Sequence, residues 1–323
     1  MKRMPLFFTV LLFIFTEIPA QQLALPRESQ AAEVSQTVGL SKITINYSRP
    51  AVKGRKIWGE LVPYGLAANA FGNEKPMPWR AGANENTTIT FSHDVLVNGN
   101  ELKAGKYGIH MIPEENKEWT IIFSKDHQAW GSFFYEKDND ALRISVKPER
   151  TNFIELLTYN YDNIKANSAR VYLAWENLLV GFECEFDADA ITLESVRTQL
   201  TGAGGFNWQN WNQAAVFCLQ TGKWLDLGEK WCNKSISLNE NSTNRNILGY
   251  IYLAQNRTED ALKIFKENVE KFPTDWNVWD SYGEALGTTG RNKEAIEYYK
   301  KALEKAPKGQ KARIEKAIKD LGN

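Results

Sequence analysis

The chain has 323 residues, enough for two domains, because single hydrophobic cores stop growing near ~250–300 residues. Hydrophobic residues make up 43% and charged residues 24%, a globular composition that excludes a largely disordered chain. Lys+Arg and Asp+Glu both number 39, so the overall charge favours neither nucleic acid nor an anionic membrane as a partner.

Residues 1–20 have the pattern of a signal peptide. Lys2 and Arg3 form its positive start, residues 6–15 its apolar core, and Ala20 closes a small-residue cleavage site. The apolar run is too short to cross a hydrocarbon core of ~30 Å, and no later segment is apolar enough to span a membrane. We therefore expect export, with cleavage near Ala20 and a mature protein in the periplasm or outside the cell.

Residues 21–189 are predicted to form an antiparallel β-sandwich. Short runs of β-branched and aromatic residues alternate with turn signals, and Asn98-Gly99 is typical of a hairpin turn. No segment of helical period interrupts these runs, which argues against a parallel sheet. The segment 48–83 has no assignable element, and long loops are often functional. The predicted strands are residues 42–47, 87–92, 94–97, 106–112, 119–124, 141–147, 152–159, 169–175 and 179–186.

The remainder is predicted to be helical. Residues 190–205 contain a linker helix and a glycine-rich joint, and residues 206–323 contain positions that recur every 34 residues, the period of tetratricopeptide repeats. We expect three repeats at about 208–241, 242–275 and 276–309, with a cap helix over 311–321. The fold class is therefore α+β multidomain, a β-sandwich followed by a helical solenoid. The matching pairs are Leu248 and Tyr282, Gly249 and Gly283, Tyr252 and Leu286, Ala261 and Ala295, Phe265 and Tyr299, and Pro273 and Pro307.

The β-region also carries a series of motifs in a fixed order. They include Ser48-Arg49-Pro50, Lys53-Gly54-Arg55, Trp79-Arg80-Ala81-Gly82-Ala83-Asn84-Glu85, Gly105-Lys106-Tyr107-Gly108-Ile109-His110 and Trp130-Gly131-Ser132. The series resembles the bacterial family named domain of unknown function 2911 over roughly residues 30–186. That family is described without an activity, so the resemblance implies fold and export rather than a reaction. The repeats resemble the tetratricopeptide class, which implies a protein or peptide partner.

A cationic group of residues suggests a ligand pocket in the long loop. Arginine grips a carboxylate or phosphate in bidentate fashion, and aromatic residues nearby can stack on a ring. The alternative is that each arginine pairs with a local carboxylate, such as Glu60 or Glu85, and fixes the loop. This second interpretation is favoured because structural ion pairs are commoner than ligand clamps. The candidate ligand-binding residues are Arg49, Lys53, Arg55, Tyr64, Trp79, Arg80, Asn84 and Glu85.

Two of the three histidines suggest a metal site. His93 ends one predicted strand and His110 lies in the strand after the hairpin, so with Glu85 or Asp94 they would offer two imidazoles and a carboxylate to a transition metal. The alternative, which is the commoner situation, is that both are satisfied core or rim histidines. A transition metal is the only cofactor that the sequence suggests.

The repeats offer a second candidate surface. In this class the first helix of each repeat lines a concave groove, which would display Asn246, Tyr250, Asp280 and Glu284 to a partner. The alternative is that the repeats complete a hydrophobic core against the β-domain. Cys184, Cys218 and Cys232 are odd in number, and two buried thiols at Cys218 and Cys232 are favoured over a disulfide.

These patterns favour a binding or scaffold protein of the envelope without catalysis. The β-sandwich would recognise a ligand, and the repeats would bind a protein or peptide. The alternative is a metal- or Arg-dependent enzyme, hydrolase-like, with its site around His93, His110 and the loop 49–85. No nucleophile elbow or phosphate-binding loop is present in the sequence to support a particular reaction.

Overall fold

The computed structural model describes residues 25–322, and this part of the chain contains ten β-strands followed by eight α-helices. The predicted signal peptide lies outside the described residues. Two compact units are present. Within the described residues, 25–38 and 42–185 form the β-domain, whereas 39–41 and 186–322 form the helical unit. The predicted fold class, a β-domain followed by helical repeats, is confirmed.

Two antiparallel sheets build the β-domain. Their strand orders are β1-β2-β3-β6-β7-β8 and β5-β4-β10-β9, and the pairings from β2 to β10 are antiparallel. The strands are β1 (Gln30–Val38), β2 (Ser41–Arg49), β3 (Thr88–Phe91), β4 (Val95–Val97), β5 (Asn100–Leu102), β6 (Gly105–Ile112), β7 (Trp119–Ser124), β8 (Asp140–Val146), β9 (Glu149–Asp162) and β10 (Ser168–Glu185).

The two sheets pack face to face. Phe123 on β7 and Phe182 on β10 meet edge to face, with their ring centroids 5.4 Å apart. The Tyr161 hydroxyl on β9 donates a hydrogen bond to the carbonyl oxygen of Ile43 on β2 at 3.1 Å. Both contacts join strands of different sheets, so the core lies between them, as in the predicted sandwich.

The strand boundaries differ from the prediction in two ways. Residues 169–175 and 179–186, predicted as separate strands, form the single strand β10, whose register with β9 shifts on both sides of Glu176. Glu176 has a φ of 54°, so a local bulge lets the strand continue where the sequence pattern breaks. The structure also contains β1 and β5, which were not predicted. All of β1 except Val38 is exposed or half-buried, and β5 has three residues, so neither carries a clear hydrophobic pattern.

The helical unit contains three consecutive helix pairs. These pairs are α2–α3, α4–α5 and α6–α7, with α1 before them and α8 after them. The helices are α1 (Ala188–Thr201), α2 (Trp208–Thr221), α3 (Leu225–Leu238), α4 (Ser242–Ala254), α5 (Thr258–Lys271), α6 (Trp276–Thr288), α7 (Asn292–Lys305) and α8 (Lys308–Gly322).

Each repeat begins with a capping side chain at the same position. Asn207, Asn241 and Asp275 directly precede α2, α4 and α6, and each accepts a hydrogen bond from the backbone N–H two residues later. Such caps satisfy N–H groups that a helix start leaves unpaired. The second helices, α3, α5 and α7, begin without a side-chain cap, so packing against the first helix fixes their position.

A buried arginine joins the two helices of the second repeat. Arg245 on α4 is 7% exposed, and its guanidinium donates to Glu240 and to Glu267 on α5, both at 2.5 Å. Glu240 also pairs with Lys271 at 2.6 Å, but that lysine is about half exposed. One carboxylate therefore has two cationic partners in different environments.

Arg245→Met is expected to lower the free energy of unfolding by about 2 kcal/mol, because Glu240 and Glu267 both lose their hydrogen bonds to a buried guanidinium. The matched variant Lys271→Met breaks an exposed pair to the same Glu240 and should cost less than about 0.5 kcal/mol. Urea denaturation followed by circular dichroism measures both. Equal losses in the two variants would contradict the role assigned to burial.

Candidate functional site

The long loop between β2 and β3 forms one wall of a cavity in the β-domain. Backbone hydrogen bonds tie the loop to both sheets: Trp79 exchanges two with Met111 on β6 at 2.8 Å, and the Val52 N–H donates to Glu155 on β9 at 2.9 Å. The cavity has a volume of about 480 Å³, within the ~300–1,000 Å³ typical of ligand pockets. It is lined by Glu28, Ser29, Pro50, Ala51, Lys53, Arg55, Leu61, Val62, Pro63, Gly65, Ala67, Met77, Pro78, Trp79, Arg80, Gly82, Ala83, Ser132 and Trp175.

Two tryptophans of the cavity wall belong to a cluster of four packed rings. Trp79 and Trp175 both line the cavity and stack with their ring centroids 6.1 Å apart. Trp58 meets both rings edge to face, at 5.7 and 5.8 Å, and also contacts Trp119 at 4.9 Å. Because each ring is held by others, the apolar wall is preorganised rather than formed on binding.

Arg80 is a half-buried cation in this cavity. Among residues 25–322 it makes one hydrogen bond, to the Asn84 carbonyl oxygen, and no ion pair with a carboxylate. Its guanidinium carbon lies 4.9 Å from the centroid of the Phe133 ring. Burial lowers the pKa of the Arg80 guanidinium below its ordinary value, the direction that an uncompensated cation gives.

The backbone opposite Arg80 is a glycine. A Cβ atom on Gly131 would overlap the Arg80 guanidinium, and Gly131 has a φ of 67°, which favours glycine. Gly131 therefore makes room for the cation, while Phe133 covers one of its faces. The motif Trp130-Gly131-Ser132, to which no role was assigned from the sequence, therefore provides the space for the Arg80 guanidinium.

The structure brings some of the predicted ligand-binding residues together and places others elsewhere. Lys53, Arg55, Trp79 and Arg80 line the cavity, and the Asn84 carbonyl oxygen holds Arg80. Arg49 lies outside the lining. Its guanidinium donates to the Leu157 carbonyl oxygen at 3.0 Å and the Thr158 hydroxyl at 2.6 Å. Tyr64 lines a second cavity of about 660 Å³. Glu85 pairs with Arg27.

The local ion pairs differ from those of the favoured alternative. Glu60 pairs with Lys56 at 3.2 Å and Glu85 pairs with Arg27, so neither carboxylate neutralises an arginine of the cavity. Arg55 instead donates to the backbone carbonyl oxygens of Ala51 and Val52. The carboxylates nearest to the cavity arginines in the sequence are therefore not their partners in the structure.

The predicted metal ligands do not converge. His110 is buried, and its Nδ1 lies 2.8 Å from the Ser132 Oγ, whereas His93 lies beyond the end of β3 with its Nδ1 3.0 Å from the Ser92 Oγ. Phe91, near the end of β3, pairs with Gly105 on β6, and His110 lies five residues after Gly105, roughly 16 Å along the strand. His93, which follows the end of β3, is therefore far from His110. Within residues 25–322 no group of three His, Cys, Asp or Glu side chains could hold a metal ion.

The surroundings of the His110 ring favour its neutral form. Burial and the nearby Arg80 lower its pKa from 6.5 to about 4. The Tyr135 ring packs against it edge to face, with the ring centroids 5.4 Å apart.

The three cysteines are free, buried thiols, so Cys218 and Cys232 do not form a disulfide.

The four predicted groove residues of the repeats fall into two groups. Tyr250 on α4 donates to the Glu284 carboxylate on α6 at 2.6 Å; Glu284 is exposed and Tyr250 is half-buried. Asn246 and Asp280, predicted to face a partner, are 5% and 6% exposed. Asn246 donates to Ser281 and accepts from Asn268, and Asp280 accepts from Arg313 on α8, so the neighbouring helices cover both.

The fold and the cavity define a β-sandwich protein with a tetratricopeptide array. The model of the family described as "Protein of unknown function (DUF2911)" matches residues 29–184, and a tetratricopeptide repeat model matches residues 277–308. Both resemblances predicted from the sequence are confirmed. No curated protein is significantly similar to the chain.

Several solved structures are similar to part of the chain. A structure of MamA AMB-1 is 24% identical, covers 36% of this chain and 68% of that chain, and has a TM-score of 0.30. A structure of MamA MSR-1 is 23% identical over 41% of this chain and 75% of that chain, with a TM-score of 0.32. A structure of the type III secretion translocator chaperone SycD of Yersinia enterocolitica is 16% identical, covers 36% of this chain and 91% of that chain, and has a TM-score of 0.33.

No helix within residues 25–322 combines the length and the apolar character needed to cross a membrane.

Proposed function

We propose that the chain is an exported binding protein of the bacterial envelope. Its β-sandwich recognises an anionic ligand in the cavity, and its repeats bind a protein or peptide partner. The single observation that carries the proposal concerns Arg80, a half-buried cation that lines the cavity. No carboxylate within residues 25–322 compensates the charge of its guanidinium.

The charge balance of the cavity supports an anion. Lys53, Arg55 and Arg80 contribute three positive charges to the lining, against the one carboxylate of Glu28. Glu28 is engaged by Lys53 and lies close enough to Arg55 to attract it, so Arg80 is the cation of the lining that no carboxylate of the described residues compensates. Holding a guanidinium away from water is unfavourable, and an anion bound beside it would recover that free energy through charge-assisted hydrogen bonds.

The helical repeats support the second half of the proposal. Tetratricopeptide arrays stack helix pairs into extended surfaces that are used for binding. The exposed Glu284 and its half-buried partner Tyr250 lie on the first helices of two successive repeats. Export is supported by the charged start, apolar core and cleavage site within residues 1–20.

Arg80→Gln is expected to weaken anion binding at least about 10-fold, because a charge-assisted hydrogen bond is lost. Calorimetric titration of the full chain with acetate, octanoate and inorganic phosphate measures it. Lys106→Gln, which removes an exposed cation outside the cavity lining, is the matched control and should leave affinity unchanged. The proposal is wrong if the wild type and Arg80→Gln bind all three anions equally.

A further inference from the structure

We infer that the ligand of the cavity is an organic carboxylate with an apolar acyl or aryl body. Its carboxylate lies against Arg80 and its body lies against Trp79 and Trp175. This inference rests on the proposed function, because it names the chemical class of the anion that Arg80 receives.

The lining is mostly apolar. Only the side chains of Glu28, Ser29, Lys53, Arg55, Arg80 and Ser132 are polar, and the rest of the lining is apolar or glycine. Leu61 belongs to the lining and is 45% exposed, and Leu66, beside the lining residues Gly65 and Ala67, is 49% exposed. A fully hydrated anion would leave this surface in contact with water, whereas an apolar body would bury it.

The polar end of the cavity fits a carboxylate better than a phosphate. None of the lining residues lies at the start of a helix, the common site for phosphate groups. One guanidinium and one hydroxyl, from Arg80 and Ser132, are instead the donors that a planar two-oxygen group needs.

Ser132 is oriented from behind by His110. The Ser132 Oγ lies 2.8 Å from the His110 Nδ1. When the imidazole N–H at that position donates to the Ser132 oxygen, the hydroxyl hydrogen of Ser132 is free to donate into the cavity. His110 thus acts as a positioning residue for the second donor of the site.

Arg80 is oriented by its own neighbours. The Asn84 carbonyl oxygen accepts from one guanidinium nitrogen, and Phe133 packs on the guanidinium face. Gly131 leaves the space that the guanidinium occupies. Its remaining N–H groups are therefore held in place for a ligand before the ligand arrives, which lowers the entropic cost of binding.

The test is a calorimetric comparison of four probes on the full chain: octanoate, acetate, 1-octanol and inorganic phosphate. Octanoate is expected to bind at least about 10-fold more tightly than acetate, because its longer chain buries additional methylene groups. It should also bind at least about 10-fold more tightly than 1-octanol and phosphate, which lack the charge or the apolar body.

Two variants assign the binding to the site. Arg80→Gln should reduce octanoate affinity to that of 1-octanol. Gly131→Ala keeps the charge but displaces the guanidinium, and it should weaken octanoate at least about 10-fold. Circular dichroism and thermal melting of each variant verify that the β-domain remains folded.

The outcomes separate the two proposals. Arg80-dependent binding of phosphate as tight as that of octanoate, or of acetate as tight as octanoate, would overturn the ligand class and leave an anion site at Arg80. Octanoate binding that Arg80→Gln and Gly131→Ala leave unchanged would also overturn the ligand class. If no probe binds in an Arg80-dependent way, both the ligand class and the proposed function are wrong.

Discussion

Phe265→Ala is expected to lower the free energy of unfolding of the helical unit by about 3–5 kcal/mol. The Phe265 ring, on α5, is 0% exposed, contacts Tyr250 edge to face at 5.1 Å, and lies directly against Gly249. Truncation leaves an apolar space that water does not fill, so both transfer free energy and packing are lost. Urea denaturation followed by circular dichroism measures the change.

The chain offers a matched control for this loss. Phe206 is 88% exposed, and Phe206→Ala should change the free energy of unfolding by less than about 0.5 kcal/mol. Similar losses in both variants would refute the assignment of Phe265 to the core.

Gly249 adds a sharper test of the same contact. A Cβ atom on Gly249 would lie 2.6 Å from the Phe265 Cζ, so Gly249→Ala should destabilise the wild type by about 1–3 kcal/mol. In the Phe265→Ala background the overlap is absent. There the higher helix propensity of alanine should make the same change stabilising, by up to about 1 kcal/mol. A double-mutant cycle with additive effects would rule out the direct contact.

The second large effect concerns acid. We expect the β-domain to lose about 3 kcal/mol of stability through His110 as the pH falls from 6.5 to about 4. At every pH in this range the unfolded state binds more protons at His110 than the folded state does, because the folded pKa is the lower one. Stability is therefore fully present above the ordinary histidine pKa of about 6.5 and is lost as pH falls toward the folded value.

His110→Asn should flatten this part of the pH profile, because asparagine can keep a hydrogen bond to Ser132 without titrating. The groups that contact or perturb the His110 ring are Ser132, Tyr135 and Arg80. Arg80→Gln removes the one cation among them and should reduce the loss. Urea denaturation at several pH values between 4 and 7 compares the three proteins. Parallel profiles for the wild type and His110→Asn would exclude His110 as the source.

The helical unit could be predicted from the sequence because its information is local. Gly249, Phe265 and their counterparts one repeat later specify a close helix pair within a few turns of chain. The caps at Asn207, Asn241 and Asp275 recur at the same interval and could have been found as a further signal. Burial of Asn246 and Asp280 was missed, because it depends on helices of neighbouring repeats rather than on their own helix.

The cavity was less predictable because it depends on contacts between distant residues. The sequence grouped Lys53, Arg55, Trp79 and Arg80 correctly in space, since all belong to one loop. It could not show that Glu85, five residues after Arg80, pairs with Arg27 instead. Trp175 and Ser132 were also missed as lining residues. Trp175 belongs to a strand whose pattern indicated only core, and Ser132 reaches the cavity through the fold of a distant loop.

The α8 helix covers the last helix pair of the repeat array. Ile314 is fully buried against the last repeat, and Arg313 donates to Asp280 on α6 at 2.7 Å. In a solenoid each unit leaves the same face open to the next one, so an array without a final covering helix can add further units, including those of another molecule. Because Ile314 and the Arg313–Asp280 ion pair hold α8 on this face, the last helix pair does not expose its apolar surface for stacking by a further unit.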